Sequence, residues 1–186
     1  MSRTNPYKKK HRQAKHTCLL MGEGPTEQAF LIYLKELYLA RDSGISCKVE
    51  NAGGGSPDSI IHTTKKRLRN AAFDRCIVLM NGDRKWPNIL LKTISGTKVS
   101  FSKSEPCIES LFLRILNCHV PNIQCVRSDV VKGIFHEKYL NKKDKTQAGN
   151  YHRIFNHEML EKQRLSIRQL DDILKCFSDS FYTKKR

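Results

Sequence analysis

Acidic residues are scarce in this chain. Eighteen Asp and Glu stand against 34 Lys and Arg over 186 residues, a formal net charge of +16. That imbalance is the electrostatic footprint of a nucleic-acid binder, although a basic face also suits acidic proteins or membrane surfaces. Long apolar runs are missing: no stretch nears the ~20 residues that cross a bilayer. The basic start, residues 1–12, lacks the apolar stretch and cleavage site of a signal peptide. The seven cysteines, at 18, 47, 76, 107, 118, 125 and 176, contain no CxxC pair. This excludes a zinc ribbon, and the odd, scattered set reads as reduced thiols of a cytoplasmic protein. No GxxxxGK[ST] is present, so no P-loop is expected. The seven histidines show no HxxxH or HExxH spacing, which argues against a histidine metal site. His16, His62, His136 and His152 remain as possible helpers in phosphate binding. No internal repeat is visible.

What is present is enough for one compact domain with a real core: 39% apolar residues at a mean hydropathy of -0.54. Residues 1–16 read as a basic arm, either lying along a phosphate backbone or simply solvated. Apolar runs at 17–21, 45–50, 76–80 and 98–101 predict strands. Helical spacing predicts helices over 25–40 and 57–71, a helix starting at Pro106, and a last helix over 156–177. Between 129 and 150 the chain is basic and loop-rich. Gly53–Gly55 before Ser56-Pro57 is either a phosphate-meeting loop or a plain turn into a helix. The order β-α-β-α-β-…-β-α predicts an α/β fold with a mainly parallel sheet covered by helices.

Two apolar strands end in acidic turns, at Glu23 and at Asp83. Parallel strands present their carboxyl ends on one edge, so these groups can converge. Mg²⁺ favours such hard oxygen ligands, usually one or two carboxylates with water and phosphate. Paired ions of this kind clamp the oxygens of a phosphodiester displacement. Glu27 and Glu109 either join the cluster or merely favour the positive end of a helix. Glu36 and Glu50 read as solvated. Trp86 either stacks on a base or anchors a loop. Arg84 and Lys85, beside the acidic turn, are placed to hold a phosphate.

Three motifs occur in order: Gly22-Glu23-Gly24-Pro25-Thr26-Glu27, Asn81-Gly82-Asp83 and Ser104-Glu105-Pro106-Cys107-Ile108-Glu109. Together they resemble Toprim nucleases, and more narrowly the RloB-like proteins of bacterial anti-phage defence. The resemblance covers roughly residues 17–117, and more weakly Tyr139-Leu140-Asn141-Lys142 and the last helix. It implies a Toprim-like catalytic domain over 17–125 and a basic, mostly helical extension over 126–186 packed on it. It implies a Mg²⁺- or Mn²⁺-dependent nuclease acting as a toxic effector. Glu23, Asp83, Asn81 and Glu27 would be catalytic, and Glu23, Asp83, Asn81 and Glu109 would hold metal.

The resemblance also allows a partner ATPase or other defence subunit; a homodimer is possible, and no membrane is expected. A small chain with no visible sequence-reading module suits a structured RNA such as tRNA, read by shape, ahead of DNA. Lys65, Lys66, Arg69, Lys142 and Lys143 join Arg84 and Lys85 as nucleic-acid contacts. A DNA endonuclease and a non-catalytic binding subunit are the alternatives. Position 81 departs from the family, which has Asp there. A natural variant relying on Glu23 and Asp83, or an introduced Asp→Asn change, would each leave Asn81.

Overall fold

A computed structural model describes residues 14–92 and 98–178; most of the expected 1–16 arm lies outside them. Strands β1 (His16–Gly22), β2 (Ile45–Asn51), β3 (Arg75–Asn81) and β4 (Val99–Ser104) form one sheet in the order β2-β1-β3-β4. Every pairing is parallel, so the expected α/β architecture is present. Helices are α1 (Pro25–Tyr38), α2 (Pro57–Asn70), α3 (Asn88–Lys92), α4 (Ile108–Ile115), α5 (Ser128–Lys138), α6 (Ala148–Tyr151), α7 (His157–Arg164) and α8 (Arg168–Leu174). No described helix is long and apolar enough to cross a membrane. No disulfide joins the seven cysteines.

The central strands are buried on both faces, which is why they read as continuous apolar runs and not as alternation. Leu19, Met21, Cys76 and Val78 pack on one face against Ile60 of α2. Cys18, Leu20, Ile77 and Leu79 face the larger core, built from α1, α4 and the helices after residue 128. At its centre stands Phe112, with ring centroids 4.8 Å from Phe30, 5.1 Å from Phe135, 5.5 Å from Tyr151 and 5.7 Å from Phe155. α4 is buried along nearly its whole length, Glu109 and Ser110 included, and only Arg114 is exposed.

Several local expectations are corrected. The 156–177 helix is two helices and a 3-10 turn at Lys175–Phe177, broken after Arg164. At the break the Ser166 hydroxyl donates to the Gln163 carbonyl at 3.2 Å, competing with the helix ladder, and Leu165 is left exposed. The stretch 129–150 contains α5 and α6. Val131 and Phe135, four apart, bury one face of α5, a stripe masked in the sequence by the surrounding lysines. Pro106 does not lie in a helix first turn; Cys107 caps α4, one residue later. Glu50 is not freely solvated, because its carboxylate, with 15% of the side chain exposed, pairs with Lys48 at 2.6 Å and Arg67 at 2.5 Å.

Candidate functional site

From β1 the chain moves out to β2 and then back across to β3, so strand order reverses between β1 and β3. Carboxyl ends at such a reversal open a crevice where open α/β sheets place ligands. The register sets Gly22 beside Asn51 on one side and Leu79 on the other, and Asn81 beside Ser104. Glu23 and Asn81 therefore leave neighbouring strands at the same edge.

Glycine at 22 is required by close approach. A Cβ there would lie 2.8 Å from the Glu27 Cβ and 2.9 Å from the Gln28 nitrogen. Its absence lets the first turn of α1 sit against the end of β1. Pro25 opens that turn, where its missing N–H costs nothing. Glu27 Oε2 then accepts the Gly24 N–H at 3.0 Å, capping the helix from its third position. Gly54, at φ +71°, turns its N–H onto the Glu23 carbonyl at 2.8 Å and so ties the glycine loop to the site.

Three carboxylates are buried here: Glu23, Glu27 and Glu109, at 7%, 4% and 2% exposure. Asn81 joins two of them and reaches the start of the helix that carries the third. Its backbone N–H donates to Glu23 Oε2 at 2.9 Å, and its side-chain Nδ2 donates to Glu27 Oε1 at 3.0 Å. Its Oδ1 accepts the Ile108 N–H at 2.9 Å, at the start of α4. The amide orientation follows, because a carboxylate only accepts and an N–H only donates. Glu109 Oε2 is buried with no hydrogen-bond partner. Glu109 Oε1 lies 3.6 Å from His136 Nε2. The other ring nitrogen, Nδ1, is 2.7 Å from the Leu140 carbonyl and carries the hydrogen that bonds it. Beside Glu109 the Cys107 thiol is pushed up to about 12 by burial and by that carboxylate, and stays protonated.

Burial holds the Glu27 carboxyl above its ordinary value of 4.5, with Glu109 and Glu23 adding repulsion against the hydrogen bonds it accepts. A raised folded value means that the folded state keeps this proton longer than the unfolded chain does. The resulting stability is complete below pH 4.5 and is lost as pH rises through the folded value. Carbon-13 NMR of the Glu27 carboxyl is expected to titrate above 4.5, with a denaturation midpoint that falls over the same window. Titration at or below 4.5 would contradict a desolvated Glu27.

The remaining candidates lie around this centre. Asp83 is at the rim: it is exposed, its N–H donates to the Pro106 carbonyl at 2.9 Å, and its Oδ2 accepts from the Ser128 hydroxyl at 3.2 Å. Arg84 is turned back onto the Gly55 carbonyl, and Lys85 is exposed. Trp86 takes the anchoring role: its indole N–H donates to the Asn81 carbonyl at 3.0 Å and its ring packs on the α2 side of the sheet. Lys65, Lys66 and Arg69 belong to α2, on one face of the sheet, while Lys142 and Lys143 follow α5 on the other. They do not form one basic patch. His136 is the residue that sequence spacing could not single out, since its partner Glu109 is 27 positions away and four histidines competed for the role.

Among the described residues no three His, Cys, Asp or Glu side chains form a ready cage for a metal ion. The donors still suit a hard divalent ion, which needs only one or two carboxylates beside water and phosphate. They are oxygens, and one of them, Glu109 Oε2, is buried without a partner. Comparison of the chain with family models, with curated proteins and with solved structures finds no match.

Proposed function

We propose that this chain is a Toprim-like, divalent-metal-dependent endonuclease acting on RNA. The observation that carries the reading is the convergence of three buried carboxylates, one oxygen of them unpartnered, at the strand-order reversal of a protein of charge +16. Carboxylates so placed repel nucleic acid until cations fill them. Glu23 and Glu109, with Asp83 at the rim, would hold Mg²⁺ or Mn²⁺. The bound ion would supply Lewis-acid activation of water and charge neutralisation at the phosphate. Glu27 and Asn81 position Glu23 and the start of α4, and Lys85 meets the phosphate backbone. The role of a toxic effector in anti-phage defence, restrained by a partner ATPase, rests on the motif resemblance alone.

Purified protein is expected to cleave structured RNA with Mg²⁺ or Mn²⁺, to stop on chelation, and to lose at least about 10-fold in rate on Glu23→Gln, since electrostatic groups at a reaction centre contribute on this scale or more. Duplex DNA run in parallel separates the RNA reading from a DNA endonuclease. Absence of metal-dependent cleavage in both the native chain and Asn81→Asp would sink the proposal.

One observation favours a second reading, a non-catalytic RNA-binding subunit. The Asn81 amide satisfies Glu27 and the Ile108 N–H together, so that part of the cluster closes without a cation. Such a subunit would bind RNA with steep salt dependence and no metal requirement.

A further inference from the structure

A cavity of about 570 Å³ opens between the last turns of α5 and the loop that follows. That volume lies within the ~300–1,000 Å³ of small-molecule sites. His136 is its inner wall and reaches Glu109 on the far side, so cavity and carboxylates share one residue. Asn141, Lys142, Lys143 and Asp144 of the loop line it together with Glu137 of α5.

This loop is held by the core. Asn150 Nδ2 donates to the Asp144 carbonyl at 3.1 Å and the Tyr151 hydroxyl donates to the Lys145 carbonyl at 2.8 Å. Tyr151 is fully buried among Phe30, Phe112 and Phe155. Burial raises its phenol well above the ordinary range, so it remains a donor. These bonds fix the main chain of the loop at 144 and 145, so the part of the ordering cost that falls on the backbone is met before binding.

The groups lining the cavity match a nucleotide. Lys142 and Lys143 are exposed ammonium groups suited to phosphate. The Asn141 amide and the Asp144 and Glu137 carboxylates offer the donor and acceptor edges that a nucleobase pairs with, an edge accessible only when the base is unpaired. We infer that this cavity receives one unpaired nucleotide of an RNA strand whose neighbouring phosphodiester lies at the Glu23–Glu27–Glu109 cluster, so that the chain selects single-stranded loops over duplex. The inference deepens the proposed nuclease reading and rests on it for the position of the cut. The binding preference itself is independent of cleavage.

The test is therefore made on binding first, with the full chain in chelator. A hairpin RNA with an unpaired loop is compared with a perfect duplex of the same length. The hairpin is expected to bind at least about 10-fold tighter, one good base contact being worth roughly that factor or more. Asn141→Ala with Asp144→Ala is expected to erase most of that preference and leave duplex binding unchanged. Tyr151→Phe, which keeps the ring and loses the loop hydrogen bond, should weaken the preference without lowering the denaturation midpoint by more than a hydrogen bond's worth. Equal affinity for hairpin and duplex, or a preference untouched by Asn141→Ala with Asp144→Ala, overturns the inference. If binding prefers the loop and neither the native chain nor Asn81→Asp cleaves with metal, the nuclease reading fails and the nucleotide cavity stands.

Discussion

Replacing Phe112 by Ala is expected to cost about 3–5 kcal/mol, the range for an aromatic removed from a closed core. Phe112 is fully buried, and its ring meets one aromatic from each of α1, α5 and α6, and Phe155 beyond. These elements enclose it from several sides, so the cavity left behind has little freedom to collapse. Domains of this size hold a net stability of about 5–15 kcal/mol, so the substitution removes a large share of the total. Phe112→Leu, which keeps most of the volume, is expected to lose clearly less. Denaturant midpoints of the three proteins give the comparison. A loss below about 1 kcal/mol for Ala, against that ~3–5 kcal/mol expectation, would mean that these rings do not pack as one core. The same substitution is expected to loosen the 141–147 loop, because Tyr151 packs edge-on against Phe112 and holds the loop through its hydroxyl.

Asn81→Asp is the second large effect, and it depends on metal. The native amide donates to Glu27 Oε1 at 3.0 Å. Asp in the same place keeps the bond from the Ile108 N–H but turns an acceptor toward an acceptor, in a buried site. Loss of such a bond with a buried group left unsatisfied costs about 1–3 kcal/mol, and charge repulsion adds to it. The facing carboxylates would share a proton, and the shared carboxyl would be raised. The sign follows: the penalty is smallest at low pH and grows as pH rises through that value. A divalent cation placed among the carboxylates reverses the repulsion and binds the folded state selectively. Asn81→Asp is thus expected to be less stable than the native chain in chelator at neutral pH and to recover in millimolar Mg²⁺. The native chain, with one carboxylate fewer, should gain less from the same ion. Equal stability of the two proteins in chelator would show that the Asn81–Glu27 contact carries no energy. Lack of recovery in Mg²⁺ or Mn²⁺ would remove Glu27, Glu109 and position 81 from consideration as a metal environment.

The strands were legible because a buried parallel strand leaves an uninterrupted apolar run, as in Cys18–Met21 and Cys76–Met80. The junction at Gly22–Glu27 was legible because a tight turn into a helix needs Gly, Pro and an early acidic residue together. Less could be read after residue 117. α5 buries only Val131, Phe135 and His136, a stripe too thin to stand out among lysines. The break after Arg164 contains neither Gly nor Pro, so no local breaker marks it in the sequence. Position 81 was visible as a missing charge, but its partners were not. Glu27 and Ile108 are 54 and 27 residues away, and no local pattern encodes which atoms they offer.

By itself, then, the sequence determined the class of fold, the strong positive charge and the placement of Glu23 and Asn81 at strand ends, since these follow from local periodicity and composition. The tertiary structure decided which carboxylates meet. It tied Glu23 and Glu27 to Asn81 with Glu109 close by, placed Asp83 against the Ser128 hydroxyl, and brought His136 against Glu109. Those choices depend on strand order, on helix packing around Phe112 and on the satisfaction of buried polar groups, all of which couple residues far apart in the chain.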